Sequence, residues 1–338
     1  MKAVLIDPAT PDELAFLREH APHLDLMAPT TGAAEALATL LEGAEALIAR
    51  DRIVDAQLLQ EAPRSLRLVQ LWSNRRDGVD LEAAADAGVT VALMPQRGCI
   101  AVAELTMLLL LGLSKKIAAA DDATRSGAYR SLGIEPILTE ERKHFFQWMK
   151  LPDLFELYGH TLGLVGFGEI ATEVARRAHA FGVNVVYTKR NRLSSEMERE
   201  EHVDYREFDD LLAESDFVSL HVPHTPETDG LIDARALEQM KSSAFLVNTC
   251  RGGVVDENAL VSALQAKTIA GAGLDVFRYE PAPHDHPLLK LDNVLLTPHI
   301  GGGSGGARVK QAADVLGNVE SFARGEEPRH VILEGTRR

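Results

Sequence analysis

Residues 160–190 read HTLGLVGFGEIATEVARRAHAFGVNVVYTKR, and this stretch constrains the chain more than any other. An apolar run from Leu162 to Val165 stops at Gly166-Phe167-Gly168. A segment of helical period then carries Ile170, Val174 and Ala178, and a second apolar run extends from Val183 to Tyr187. The pattern is strand, tight turn, helix, strand. Gly166 permits the turn, Gly168 lets backbone approach a pyrophosphate, and Ala171 is small enough for the helix to pack on the strand. The unpaired N–H groups at the start of such a helix face an anion. A tight strand-to-helix crossing alone could demand the glycines, but the pattern is right on both flanks, which favours dinucleotide binding over a purely structural turn.

The end of the second strand bears on which dinucleotide. An NAD site carries Asp or Glu about 20 residues after the first glycine, where it accepts from the ribose hydroxyls and repels a 2′-phosphate. Thr188 stands there instead, followed by Lys189, Arg190 and Arg192. A charge cluster is often only a solvated loop. In a chain of net charge -15, however, a hydroxyl followed by three cations suits charge-assisted contacts to a phosphate, so NADP is expected ahead of NAD.

That same acidity argues against a nucleic-acid partner or an acidic membrane surface, since phosphate backbones need a basic face. The start, MKAVLIDPAT, reads as a first strand and not as a secretion signal, and the longest apolar stretch, 107–113, is too short to span a bilayer. Cys99 and Cys250 make no disulfide framework, which fits a reducing, cytoplasmic setting.

Strand-like and helix-like pieces alternate on both sides of the central stretch, as a parallel-sheet α/β protein requires. Before it, strands are expected at 3–6, 46–49, 66–71 and 89–92, with helices at 11–20, 33–41 and 81–87; residues 101–120 read as one long buried helix. Residues 121–158 hold charged and aromatic patches without period and read as a connection or an arm packing on another subunit. Later strands fall at 217–220, 244–247, 271–276 and 294–296, a helix follows at about 309–323, and the polar tail packs back on the first part.

Polar residues just after late strands gather at the ligand crevice of an open parallel sheet. Arg251 follows one such strand, Asp275 ends another with Glu280 beyond it, and His299 follows a third. Singly, each could be an ordinary surface group. Together they supply what 2-oxoacid reduction needs: a cation for the carboxylate, an imidazole to protonate the carbonyl oxygen, and a carboxylate to orient that imidazole and favour its charged form.

The sequence resembles the D-isomer-specific 2-hydroxyacid dehydrogenases over most of its length. The resemblance is carried by DGVDLEAAADAGVTV at 77–91, VAELT at 102–106, GLVGFGEIATEVA, HVPHTPET at 221–228, NTCRGG at 248–253, GLDVFRYEP at 273–281 and TPHIGG at 297–302. It implies two α/β domains of Rossmann-like or flavodoxin-like build: a substrate domain of residues 1–100 plus 304–338, and a dinucleotide-binding domain, 101–303, inserted in it. It also implies a homodimer and a catalytic set of His299 as acid/base, Glu280 as its partner and Arg251 as carboxylate clamp. Asp275 would accept from the nicotinamide carboxamide. Thr106, Gly166, Phe167, Gly168, Glu169, Ile170, Thr188, Lys189, Arg190, Arg192, His221, Val222, Pro223, Thr228, Thr249, Cys250 and Gly302 would line the cofactor. Cys250 has no evident base beside it and reads as a small residue near the nicotinamide, not a nucleophile.

The sequence departs from the family pattern where a substrate loop with backbone donors is usual. Here that loop is Ser73-Asn74-Arg75-Arg76, and Gln96-Arg97-Gly98 precedes the VAELT segment. These arginines are either exposed ion pairs or extra cations for a small anionic substrate with a second negative group. Two other readings keep the fold: a formate- or phosphite-type dehydrogenase, the former disfavoured by Glu280 where a Gln is expected, and a dinucleotide-sensing corepressor-like binding protein. His284 and His286 lack further ligands at workable spacing, so no metal site is expected.

Overall fold

The computed structural model describes residues 1–73, 76–94, 97–140, 146–302 and 307–336, the side chains of residues 34–36, 97, 307 and 308 excepted. The chain divides into two compact α/β units, Met1–Ile100 with Ser304–Arg338, and Ala101–Gly303. Strands β1 (Lys2–Leu5), β2 (Asp25–Met27), β3 (Ala46–Ala49), β4 (Leu68–Leu71) and β5 (Thr90–Leu93) belong to the first. Strands β6 (Thr161–Val165), β7 (Asn184–Thr188), β8 (Asp204–Tyr205), β9 (Phe217–Leu220), β10 (Phe245–Asn248), β11 (Gly271–Leu274) and β12 (Val294–Leu296) form the second sheet, and β13 (Val331–Leu333) returns to the first.

The first sheet has the order β13-β5-β4-β3-β1-β2, parallel except for β13, which runs antiparallel to β5. Continuous apolar strands such as ALIA in β3 are buried on both faces, as parallel strands covered by helices must be. Ala3 and Leu5 pack on one face in a layer with Trp72, Val315 and Leu316, while Val4 and Ile6 lie on the other face together with Leu47, Val69 and Val91. The C-terminal helix, Ala307–Ala323, is held by a buried amide pair in which Asn318 Nδ2 donates to Gln70 Oε1 at 2.7 Å. Asn318 Oδ1 also accepts from the Arg329 backbone N–H at 2.6 Å, which aims the tail toward β13. Orphaning either buried amide costs about 1–3 kcal/mol, so this pair specifies how the chain end packs.

The second sheet is wholly parallel in the order β12-β11-β10-β9-β6-β7-β8. One face packs Leu162, Leu164, Tyr187 and Phe217 with Leu109 and Leu113 and with Val174 and Ala178 of the helix Glu169–Ala180. The other packs Val165, Val218, Leu220 and Leu246 with Leu211, Leu237 and Leu260. Strand order reverses between β6 and β9, the switch point at which such sheets bind ligands.

Two local expectations change. The helix expected at 101–120 is a pair, Arg97–Ser114 and Ile117–Ser126, bent by 62°. Lys116 between them is left-handed at φ 49, and the side chains of Lys115 and Lys116 leave the apolar stripe for Phe155 O and Asp153. Among the described residues, no single helix is long and apolar enough to cross a membrane. Strands β2, β8 and β13 and the helix Ala56–Glu61 also form, outside the segments expected from sequence.

Candidate active site

Gly166 ends β6 at φ 90, and a Cβ there would lie 2.5 Å from His221 O, so only glycine fits. Its N–H donates to Thr188 O at 2.9 Å, which ties the turn to the end of β7. Nothing lies within 4 Å of a Cβ built on Gly168, and no side chain caps the helix Glu169–Ala180 that starts there. The helix therefore presents its first-turn N–H groups to open space, while fully buried Ala171 lets it sit close on the sheet.

Just past β11, Asp275 is 1 % exposed. Its Oδ1 accepts from Thr297 Oγ1 at 2.6 Å and Ile300 N at 2.9 Å, and its Oδ2 from Gly301 N at 2.9 Å. The loop after β12 thus winds round one carboxylate. His299 lies inside that winding at φ 54, its own N–H donating to Asp275 O at 2.9 Å. The His299 ring meets Glu280 through Nδ1···Oε2 at 2.5 Å, and Glu280 Oε1 accepts from Phe277 N at 3.1 Å. Burial works to raise the Glu280 carboxyl, but His299, the Phe277 N–H and the charge of Arg251 prevail and hold it below the usual carboxylate range.

Arg251 follows β10 on a turn fixed by Asn248, whose Nδ2 donates to Arg251 O at 3.0 Å and whose Oδ1 accepts from Cys250 N at 3.0 Å. A Cβ on Gly252 would overlap the backbone of Phe277 and Arg278, so the arginine turn lies directly against the loop that carries Glu280. His299, Glu280 and Arg251 therefore come from three strand ends to one place, the first two in direct contact.

The chain matches the family model described as the D-isomer specific 2-hydroxyacid dehydrogenase, NAD binding domain, over residues 107–301. It is 42% identical over 280 residues to the glyoxylate reductase of Thermococcus litoralis, covering 82% of this chain and 80% of that one. The chain belongs to the D-isomer-specific 2-hydroxyacid dehydrogenase family. Among solved structures it resembles a glyoxylate reductase from Paecilomyes thermophila, with TM-score 0.57, 28% identity, and 98% of each chain covered. It also resembles the acyclic imino acid reductase Bsp5 in complex with NADPH and D-Arg, with TM-score 0.54, 28% identity, and 98% and 100% covered. As a D-2-hydroxyacid dehydrogenase it is an oxidoreductase that uses a nicotinamide dinucleotide, and the open Gly168 and uncapped helix start suit the pyrophosphate of that cofactor.

Other residues expected near the cofactor in this dehydrogenase are placed as follows. Phe167 packs in the core with its ring 4.9 Å from that of Tyr187, and Glu169 and Ile170 begin the helix. Buried Thr106 and Thr249 share a hydroxyl contact at 3.0 Å. His221 pairs with Ser219 Oγ at 2.9 Å, and desolvation pushes its imidazole down to about 3, so it is neutral. A Cβ on Gly166 would also meet Val222, and Thr228 Oγ1 donates to Pro223 O at 2.6 Å, closing the loop between them. Burial pushes the Cys250 thiol up, which keeps it protonated and unsuited to nucleophilic attack. Gly302 is exposed with nothing within 4 Å of a Cβ.

In the 188–192 loop, Thr188 and Lys189 are half-buried and Arg190 is exposed. Arg192 is bound bidentately by Glu198, Nε–Oε1 at 2.7 Å and NH2–Oε2 at 2.9 Å. In the first unit Ser73 is buried, its carbonyl accepting from Met94 N at 3.0 Å, and Arg76 opens a short 3-10 turn, Arg76–Gly78. Asn74, Arg75 and the side chain of Arg97 lie outside the described residues. Sequence alone assigns no role to Asn248 and Thr297, although both stand in the NTCRGG and TPHIGG segments, and does not single out Glu198.

Proposed function

We propose that this enzyme reduces a 2-oxoacid to the D-2-hydroxyacid, or runs the reverse reaction, with NADPH as the preferred donor. The observation that carries the reading is the 2.5 Å contact of His299 Nδ1 with Glu280 Oε2 beside the Arg251 turn. The bound nicotinamide supplies the hydride. With Nδ1 held by the carboxylate, His299 Nε2 is the nitrogen that donates a proton to the carbonyl oxygen during reduction, and Glu280 favours the charged ring. Arg251 donates one N–H to Cys250 O at 2.6 Å and keeps its remaining donors for the substrate carboxylate. Asp275 already receives three hydrogen bonds from its own chain, of the roughly four a carboxylate can accept, so its first task is to hold the His299 loop. At most one direction is left for a carboxamide.

The preference for NADPH rests on Thr188 where an acid would repel a 2′-phosphate, and on Lys189 and Arg190 beside it. The name of the Thermococcus relative, glyoxylate reductase, points to a small 2-oxoacid, and Ser73, Asn74, Arg75, Arg76 and Arg97 suit one with a second negative group. Leu132, Leu138 and Phe146, all exposed apolar side chains in the 128–158 segment, support a homodimer. The test is a spectrophotometric panel of NADPH and NADH against glyoxylate, simple 2-oxoacids and doubly anionic ones. Turnover of doubly anionic acids with NADPH at the highest kcat/KM is expected. No turnover of any 2-oxoacid would reject the reaction, and a faster rate with NADH would reject the cofactor preference.

A further inference from the structure

The cation cluster after β7 is not a uniform patch. Arg192 has its Nε and one terminal nitrogen committed to Glu198, and its guanidinium lies 5.0 Å from the centre of the Tyr205 ring. Glu198, on the helix Ser195–Glu201, also accepts from Tyr187 Oη at 2.8 Å. The same phenol oxygen accepts from Leu193 N at 3.0 Å. Tyr187 is itself 0 % exposed, and its ring packs 4.9 Å from Phe167 inside the glycine turn and 5.6 Å from Tyr205. One buried side chain therefore touches Phe167 in the glycine turn, Leu193 at the far end of the loop that follows β7, and Glu198 on the helix beyond it.

This chain of contacts closes the 188–193 loop from the inside. Leu193 donates to Tyr187, Tyr187 donates to Glu198, and Glu198 grips Arg192, so residues 189–191 are strung between two fixed points. We propose that Tyr187, Glu198 and Arg192 form a latch that sets cofactor choice by holding Lys189 and Arg190 at the 2′-position of the adenosine ribose, with Arg192 a positioning residue and not a phosphate ligand. The inference rests on the NADPH reading above and deepens it. Burial and the Glu198 contact push the phenol up to about 12, so it stays a donor at any working pH. Arg192 and Tyr187 hold Glu198 below its usual range against burial, so it stays an acceptor.

The alternative is that Arg192 is a phosphate ligand temporarily held by Glu198, and the two predict opposite signs for Glu198→Gln. The experiment measures NADPH and NADH dissociation constants, and kcat at saturating NADPH, for the full-length wild type, Tyr187→Phe, Glu198→Gln, Arg192→Leu and Glu198→Gln/Arg192→Leu. Far-UV circular dichroism and melting confirm folding, and Tyr187→Phe keeps the ring in the core. Each single variant should weaken NADPH about tenfold, the effect of about 1.4 kcal/mol, and lower the NADPH/NADH affinity ratio by a similar factor. The double variant should be no worse than either single one, because both break the same latch. Tighter NADPH binding by Glu198→Gln overturns the proposal, as does an unchanged NADPH/NADH ratio in an enzyme that prefers NADPH. A wild type that binds NADH more tightly sinks the cofactor preference alone. The latch then stands if the variants still move the ratio and falls if they do not.

Discussion

Two buried aspartates do the same job in the two units, with different results. Asp7, just past β1 and 2 % exposed, accepts from the backbone N–H groups of Arg50, Asp51 and Arg52 at 2.7, 3.1 and 3.0 Å. Asp275, just past β11, accepts from Thr297, Ile300 and Gly301. Each carboxylate folds the loop that follows the adjacent parallel strand, β3 in one case and β12 in the other. The difference lies in what the folded loop presents. Arg50 is paired with Glu13 and Asp51, and Arg52 donates to Ile6 O and Gly32 O, so that loop's cations are spent on its own structure. The 299 loop instead presents an imidazole bound through one nitrogen only, beside a carboxylate held ionised and a guanidinium. A strand-end carboxylate with three donors is thus a folding device, and a site arises only where the loop it shapes keeps an unspent group.

Removing that unspent group should have the largest effect. His299→Asn is expected to lower kcat/KM about 10²–10⁴-fold with cofactor affinity unchanged by fluorescence titration, the range for loss of a positioned acid/base. Near-normal turnover would place the chemistry elsewhere. Asp275→Asn comes next. It turns one acceptor oxygen into a donor facing N–H groups, so steady-state kinetics should show kcat reduced about 100-fold through a misplaced His299, a loss comparable with misplacement of reacting groups generally.

Glu280→Gln should lower kcat about tenfold, because the amide no longer holds His299 Nδ1 as the carboxylate does. A kcat near wild type would uncouple the pair. The lowered Glu280 carboxyl also has a sign for stability. It contributes above its ordinary value, about 4.3, and that contribution is lost as pH falls through the lower folded value, so acid melting curves of Glu280→Gln should be flatter there. Smallest for catalysis is Asp7→Asn, which should lower the melting temperature by several degrees, as loss of about 1–2 kcal/mol would, while kcat per folded molecule stays within about twofold. A kcat loss as large as that of Asp275→Asn would erase the distinction between the two loops.

Much of this was legible along the chain because strands, turns and helices are written in local periods. The run Leu162–Val165, the two glycines and the helix after them needed only neighbours in sequence to be recognised, and the polar residues following β10, β11 and β12 were visible as strand-end candidates. Elements such as β8 and β13 were not, since they form by pairing with strands distant in sequence, β8 with β7 and β13 with the edge offered by Thr90–Leu93. Side-chain pairing was equally out of reach. Arg192 reads in sequence as one more cation for a phosphate, and only the folded helix Ser195–Glu201 brings Glu198 onto it. Asp275 reads in sequence as a cofactor acceptor, and only the folded loop after β12 shows that three of its accepting positions go to Thr297, Ile300 and Gly301. Chain neighbours alone thus set the main alternation of strands and helices, the glycine turn and which residue types stand at the strand ends. Which polar group is satisfied by which partner, and so which remain for chemistry, was decided by tertiary structure, because hydrogen bonds act over about 3 Å and the partners lie many residues apart.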